Sequence, residues 1–316
     1  MRKILIIFLC FSLLSFSGCR EKENTDTRIL MNTVVTIKAH CSQKIISEAF
    51  ALCTELENKL SRTVTGSDIS KINNSNDFVE VSEETVYLIE KAVGYSYITE
   101  GKFDITVCPV SSLYDFASEK LPKKEDISKA LLKVDYRNIA FKGNKICLKD
   151  GSIDFGGIAK GYIADKVVEF LKERGVTQGT VNIGGNVYCF GKRNVEIGIK
   201  KPFSNELIAT VKGGEGTYVT SGIYERYIEV DGRIYHHIID PETGYGVENE
   251  LASVTVIGKS SADADAISTS CMLLGEEVGL NLIEITPDTE AVFVRRNGTL
   301  VLSSGLKAED EFIVYK

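Results

Sequence analysis

The chain has 316 residues and a mass of 34.8 kDa, and at 43% hydrophobic and 26% charged its composition excludes an intrinsically disordered protein. The formal net charge is −7, more negative still once Arg2 and Lys3 leave with a signal segment, which excludes the basic footprint that non-specific nucleic-acid binding needs. Twenty-seven Gly against five Pro point to tight turns rather than Pro-rich linkers, and the length allows one large domain or two small ones.

Met1-Arg2-Lys3 followed by the apolar run Ile4 to Phe16 reads as a signal peptide over residues 1–18, because the run is too short to span a bilayer. It ends at Phe16-Ser17-Gly18-Cys19, which looks like a bacterial lipobox: small residues let a signal peptidase close on the backbone, and the Cys19 thiol takes the diacylglycerol. An ordinary cleaved signal with a chance Cys is the alternative. Residues 19–27 are polar and read as a flexible tether, with the folded domain expected over residues 28–316. The six later cysteines, Cys41, Cys53, Cys108, Cys147, Cys189 and Cys271, form no C-x-x-C, which argues against zinc or an iron–sulfur cluster, and their apolar neighbours predict buried thiols.

Arg28 to His40 alternates loosely and predicts a strand. Ser42 caps a predicted helix to about Leu60, with Ile45, Ile46, Ala49, Cys53, Leu56 and Leu60 on one face. A polar loop from Ser61 to Asp77 precedes a second helix, capped by Ser82 and carrying Val86, Ile89, Val93 and Tyr97. Gly101 to Pro109 reads as a loop and short strand, and Lys123 to Leu132 as a short helix. Ser152 to Phe155 predicts a strand end, Gly156-Gly157 a turn, and Ile158 to Arg174 a helix stopped by Gly175. Strands are expected at 179–183, 187–190, 195–200, 207–212, 224–230, 233–239 and 251–257, with Asp231-Gly232 as a hairpin turn. A helix from Ala262 to Leu274 and three short strands close the chain. Helices scattered among antiparallel strands, without an internal repeat, predict a single α+β domain, largely antiparallel β with flanking helices.

Three segments carry candidate chemistry. Asp154-Phe155-Gly156-Gly157-Ile158-Ala159-Lys160-Gly161 puts a Gly-Gly turn at a helix start, where bare amides, the positive dipole end and Lys160 favour an anion; close strand packing gives the same pattern. It is no P-loop, because G-K-[ST] is missing. In Ala264-Asp265-Ala266-Ile267-Ser268-Thr269, Asp265 and Thr269 lie four apart on one helix face and offer the hard oxygens Mg²⁺ prefers, while Asp263 points elsewhere and suits a cap. A solvated acidic first turn is the competing account. In His236-His237-Ile238-Ile239-Asp240-Pro241, adjacent His on a strand face opposite ways and cannot chelate one metal locally; one of them can act as a base or a ligand contact, and a purely structural His is the competing account. Thr220-Ser221-Gly222 and the glycine turn Asn182-Ile183-Gly184-Gly185-Asn186 identify no chemistry alone.

Taken in order, these segments resemble the ApbE-type FAD:protein FMN transferases, from about Met31 to Leu274. The resemblance implies FAD as substrate, Mg²⁺ as the metal, and transfer of FMN to a Thr hydroxyl on a partner protein with release of AMP. It places Met31, of Met31-Asn32-Thr33, at a flavin contact. It also places Lys102, Phe103 and Asp104, of Gly101-Lys102-Phe103-Asp104-Ile105-Thr106, against FAD. Asp154 and Lys160 are implied to hold the nucleotide, the Gly157 carbonyl with Asp265 and Thr269 to ligate the metal, and the Ile239 backbone to lie near FAD. His237 is implied beside the flavin phosphate and is the candidate base. A lipoprotein on the outward side of the inner membrane would serve acceptors such as subunits of the Rnf or sodium-pumping NADH:quinone reductase (Nqr) complexes.

Two departures stand out. Asn32 replaces the family's Gly, and Thr63 stands where many relatives carry an aromatic residue stacked on adenine. The expected cost is weaker FAD retention and more hydrolysis. Other readings of the same residues are a metal-dependent FAD pyrophosphatase, giving FMN and AMP, or a non-catalytic flavin-binding lipoprotein.

Overall fold

The structure is a computed structural model that describes residues 22–118, 120–192, 194–306 and 312–314. The predicted signal peptide and Cys19 lie outside the described residues. The framework is an eight-stranded, wholly antiparallel sheet. Its order is Glu23–Leu30, Thr33–His40, Gly179–Ile183, Asn186–Phe190, Gly216–Gly222, Leu251–Gly258, Glu290–Arg295, Leu300–Leu302. The α+β class with a large antiparallel sheet is therefore as expected.

Eight α-helices accompany it among the described residues: α1 (Gln43–Leu60), α2 (Asp68–Asn73), α3 (Glu83–Ile98), α4 (Cys108–Ser111), α5 (Lys124–Leu131), α6 (Ala159–Glu173), α7 (Ser261–Leu274) and α8 (Glu276–Ile285). Strand alternation separates two faces. Ile183, Val219, Val254, Val256 and Phe293 point into the layer that holds α6 and α7. Cys189, Tyr218, Val292 and Val294 point the other way, against Val195, Ile199, Ala209 and Val211 of a second sheet, Phe312–Val314, Leu207–Gly213, Val195–Lys200. The α7 residues Ser261, Ala262, Ala264, Asp265, Ala266, Ile267, Ser268, Ser270, Cys271, Met272 and Leu273 are all buried. So many Ala and Ser side chains let neighbouring backbones come close.

The tether assignment is corrected. Residues 23–27 belong to the first strand, paired from Glu23↔His40 to Leu30↔Thr33. The strand is polar because it is an edge, and Lys38 pairs with Glu23 at 2.9 Å while Arg28 lies over the Phe50 ring at 4.3 Å. The polar loop 61–77 contains α2, capped by Ser67, which accepts from the Ser70 amide. Ser152 to Phe155 is not a strand, and Gly101 to Pro109 holds a 3₁₀ turn (Ile105–Val107) rather than one. A small sheet of Val79–Glu80, Lys145–Leu148 and Ile139–Lys142 went unpredicted, as did α8. The central strand Gly216–Gly222 also went unpredicted, since it follows Gly213-Gly214 and reads as a turn; Tyr218 Oη needs that missing side chain, because a Cβ on Gly213 would sit 2.1 Å from it. The hairpin Tyr227–Val230/Arg233–His236 turns through Asp231 (φ 52°) and Gly232 (φ 74°), as Asp-Gly predicts. All six described cysteines are buried.

Candidate functional site

The site is built where α6 and α7 touch. A Cβ on Gly161 would lie 2.0 Å from the Ser261 carbonyl oxygen, so only glycine permits this approach. The approach lets the Gly161 amide donate to Asp265 Oδ2 at 3.0 Å, across 104 positions of sequence. Asp165, one turn further along α6, accepts from the Ser261 amide at 2.7 Å and the Ala262 amide at 2.9 Å, satisfying the first donors of α7. Burial raises the Asp165 carboxyl above the ordinary range, against the pull of these amides. With α7 so fixed, Thr269 faces the glycine turn that opens α6, one helical turn from Asp265: a Cβ on Gly157 would meet Thr269 Oγ1 at 3.3 Å and the Phe103 ring at 3.1 Å.

Asp265 is 2% exposed, and its Oδ1 lies 3.5 Å from Lys160 Nζ. Lys160 Nζ also donates to the Gly156 carbonyl at 3.2 Å. Ser221 Oγ stands 3.2 Å from Thr269 Oγ1 and 2.9 Å from Ser268 Oγ. Asp154 closes the turn by accepting from the Gly156 amide at 3.0 Å, while Arg62 Nε donates to its other oxygen at 2.8 Å.

His237 follows the 227–236 hairpin. Its Nδ1 is 3.2 Å from the Arg226 carbonyl. A carbonyl only accepts, so Nδ1 carries the proton and Nε2 keeps a lone pair. Burial first, then the charge of Arg226 and that of Lys160, depress the imidazole well below its usual range. The ring is therefore neutral at pH 7, a proton acceptor close enough to Lys160 to feel its charge. His236 faces the other way, buried, with Nε2 against the Val247 carbonyl at 3.0 Å and Nδ1 without a partner.

The sequence profile described as the ApbE family matches residues 31–293. The chain belongs to the ApbE family. It is 33% identical to a Klebsiella pneumoniae protein named FAD:protein FMN transferase, over 87% of this chain and 90% of that one. A Vibrio cholerae protein of the same name is 30% identical over 86% and 88%. The crystal structure of the ApbE protein of Thermotoga maritima superposes with a TM-score of 0.82 at 32% identity, covering 90% of this chain and 97% of that one. The flavin transferase ApbE of Vibrio cholerae gives 0.80 at 26% identity over 90% and 98%.

In this ApbE-family chain the residues present fit a divalent cation. Among the described residues, no three His, Cys, Asp or Glu side chains cluster as a metal site. The donor set that α6 and α7 bring together is instead one buried carboxylate, one hydroxyl and a glycine turn, hard oxygens of the kind Mg²⁺ takes while keeping waters and phosphate oxygens. Asp265 Oδ2 is held by an amide, which leaves Oδ1 turned toward Lys160 Nζ.

The other expected residues are arranged less directly. Lys102 Nζ is held by Glu242 at 2.8 Å and Asp240 at 3.4 Å; its burial opposes the charge, yet these two acids raise its pKa. Phe103 is buried against Gly157. Asp104 spends both oxygens on the chain, accepting from Thr106 N and Oγ1 at 2.7 Å and from the Tyr136 amide at 3.0 Å, and burial raises its carboxyl. Ile239 is buried with Val110, Tyr114 and Ile127. Met31 (φ 53°) and Asn32 (φ 54°) form the turn after the first strand, and Glu57 Oε1 accepts from the Met31 amide at 3.1 Å. Asn tolerates this left-handed backbone, so the loss of the family's Gly costs the turn little. Asp263 is no cap: Ser260 accepts from its amide at 3.2 Å, and its carboxylate pairs with Lys91 and Tyr95 of α3. Sequence reasoning gave no role to Arg62, Asp165 or Ser221, because their partners lie 92, 96 and 48 positions away.

Proposed function

We propose that this chain is an FAD:protein FMN transferase, which passes FMN from FAD to a Thr hydroxyl of a partner protein and releases AMP. The observation that carries the reading is the convergence of Gly157, Lys160, Asp265 and Thr269 at one helix crossing, in a family whose named relatives are flavin transferases. Lys160 and the opening of α6 lie where an anionic diphosphate is stabilised. Arg62 fixes Asp154, which shapes the turn beneath it. Mg²⁺, held by Asp265, Thr269 and the Gly157 carbonyl, supplies charge neutralisation of the diphosphate and of the departing AMP. His237 Nε2 accepts the proton of the attacking hydroxyl as the new P–O bond forms. The P–O bond to AMP breaks, and AMP leaves with its electron pair. Met31, Lys102, Phe103, Asp104 and the Ile239 backbone are assigned to the FAD side of the site.

Cleavage after Gly18, lipidation at Cys19 and anchoring outside the inner membrane complete the reading, with Rnf- or Nqr-type subunits as acceptors. Among the described residues no helix is long and apolar enough to cross a membrane. The deciding experiment incubates the chain with FAD, Mg²⁺ and a Thr-bearing candidate acceptor and reads the acceptor by mass spectrometry. The expected result is one added FMN and an equivalent of AMP. Free FMN without adduct, across candidate acceptors, replaces transfer with hydrolysis; FAD bound but unchanged replaces both with binding.

A further inference from the structure

The buried Asp265 carboxylate is held by two unlike groups. Oδ2 is fixed by the Gly161 amide at 3.0 Å, part of a helix crossing that admits no other residue than glycine. Oδ1 faces the Lys160 ammonium at 3.5 Å, well beyond the 2.7–2.9 Å of a tight charged hydrogen bond. That ammonium is tied to the turn itself, donating to the Gly156 carbonyl at 3.2 Å, and its side chain remains 27% exposed on a flexible four-carbon stem. Oδ1, Thr269 and the glycine turn are also the oxygens that fit a divalent cation. Lys160 Nζ thus lies between Asp265 Oδ1 and the Gly156 carbonyl, beside the groups a metal would take.

A carboxylate at this depth needs a compensating charge, and a lysine and a dication brought to the same oxygen repel each other. We propose that Lys160 is the resident counter-cation of the metal-free site, that a divalent ion displaces it from Asp265, and that the released ammonium takes up the dinucleotide's diphosphate, so that metal and dinucleotide bind cooperatively. This rests on the reading of the site as an FAD site. The exchange breaks no covalent bond: one ion pair is lost, a metal–carboxylate contact and an ammonium–phosphate contact are gained. Without a phosphate the displaced ammonium has no anionic partner, which holds metal affinity down. With one, each ligand strengthens the other by the same factor.

The test reads Mn²⁺ binding to the nucleotide-free full chain from the EPR signal of the free ion. Lys160→Met is expected to bind Mn²⁺ at least about tenfold tighter than the wild type, within the usual range of coupling between sites. Lys166→Met removes the same charge further along α6, where the ammonium pairs with Glu169 at 2.8 Å, and is expected to change the affinity less than about twofold, as screened charge loss does. In the wild type, Mn²⁺ tightens FAD binding, read by flavin fluorescence in the cold, and Lys160→Met loses that enhancement. Should Lys160→Met fail to fold, Lys160→Gln is melted in EDTA and in excess Mn²⁺, and the metal is expected to raise its Tm more than that of the wild type. Mn²⁺ affinity in Lys160→Met equal to or weaker than wild type, or equal metal-induced Tm rises, overturns the exchange; so does absence of Mn²⁺ binding throughout. Loss of flavin transfer to acceptors, with these metal effects intact, would count against the transferase reading alone.

Discussion

Gly161 and Ser261 approach so closely that a methyl group on Gly161 would stand 2.0 Å from the Ser261 carbonyl oxygen. The packing of α6 on α7, and with it the hold of the Gly161 amide on Asp265, depends on the absence of that one carbon. Gly161→Ala is expected to destabilise the chain by about 1–3 kcal/mol through overpacking, read as a fall in Tm. Gly94, within α3, has open space where its Cβ would be, so Gly94→Ala is expected to stabilise by about 0.5–1 kcal/mol. Similar effects from the two would contradict the crossing described.

Asp265→Asn keeps an oxygen able to accept from Gly161 but withdraws the negative charge. Melting is expected to move little while FMN transfer falls at least about 100-fold, the upper range for disrupted metal sites. A variant with near-normal turnover would remove Asp265 from the chemistry.

The histidines make stability and activity respond differently to acid. Burial lowers His236 from 6.5 to about 4. Its folded pKa is below the unfolded one, so the unfolded chain binds more protons between those values. Stability is then full above pH 6.5 and declines as pH falls toward 4, by up to about 3 kcal/mol. His236→Gln keeps a donor for Val247 without titrating, and its Tm is expected to fall less between pH 7.5 and 4.5 than that of the wild type. His237 is neutral throughout that range, so kcat/KM for transfer is expected to show no acid limb from this residue between pH 7.5 and 5.5. A limb near pH 6.5 that vanishes in His237→Gln would show a charged ring instead.

Thr63 is exposed, with its hydroxyl 3.0 Å from Ser61 Oγ, and offers no ring to adenine. Thr63→Tyr is expected to tighten FAD by about 1–3 kcal/mol, the worth of one base stack, and to slow FMN release in the absence of acceptor. Equal release rates in the two proteins would show that the aromatic is not needed here.

The first strand is part of the sheet, so the place of truncation matters. A chain starting at Lys22 is expected to keep the wild-type Tm, whereas one starting at Arg28 loses five of the eight strand pairs with Thr33–His40 and melts at a lower temperature. Equal melting would restore the flexible tether.

Local chemistry made much of this legible. Cap residues, apolar spacing and the Asp-Gly turn marked α1, α3, α6, α7 and the 227–236 hairpin, since those signals act within a few residues. The two halves of the site were legible as motifs for the same reason. What stayed hidden depends on distant partners: the polar edge strand is a strand only because 33–40 lies beside it, and the Gly216–Gly222 strand only because it lies between 186–190 and 251–258. Arg62 is an ordinary surface residue until folding sets it 2.8 Å from Asp154. The motif marked Asp104 but not its partners within the chain, the Thr106 amide and hydroxyl and the Tyr136 amide.

The paired first strand also acts as a ruler. Only residues 20–22 separate Cys19 from Glu23, a reach of about 13 Å at full extension. Eight residues of strand add roughly 26 Å before the Met31 turn. With a lipid on Cys19 as proposed, Met31 stays within about 40 Å of the bilayer surface. Acceptor threonines must then be presented in that thin layer, which selects for proteins that are themselves membrane-bound before any side chain recognises them.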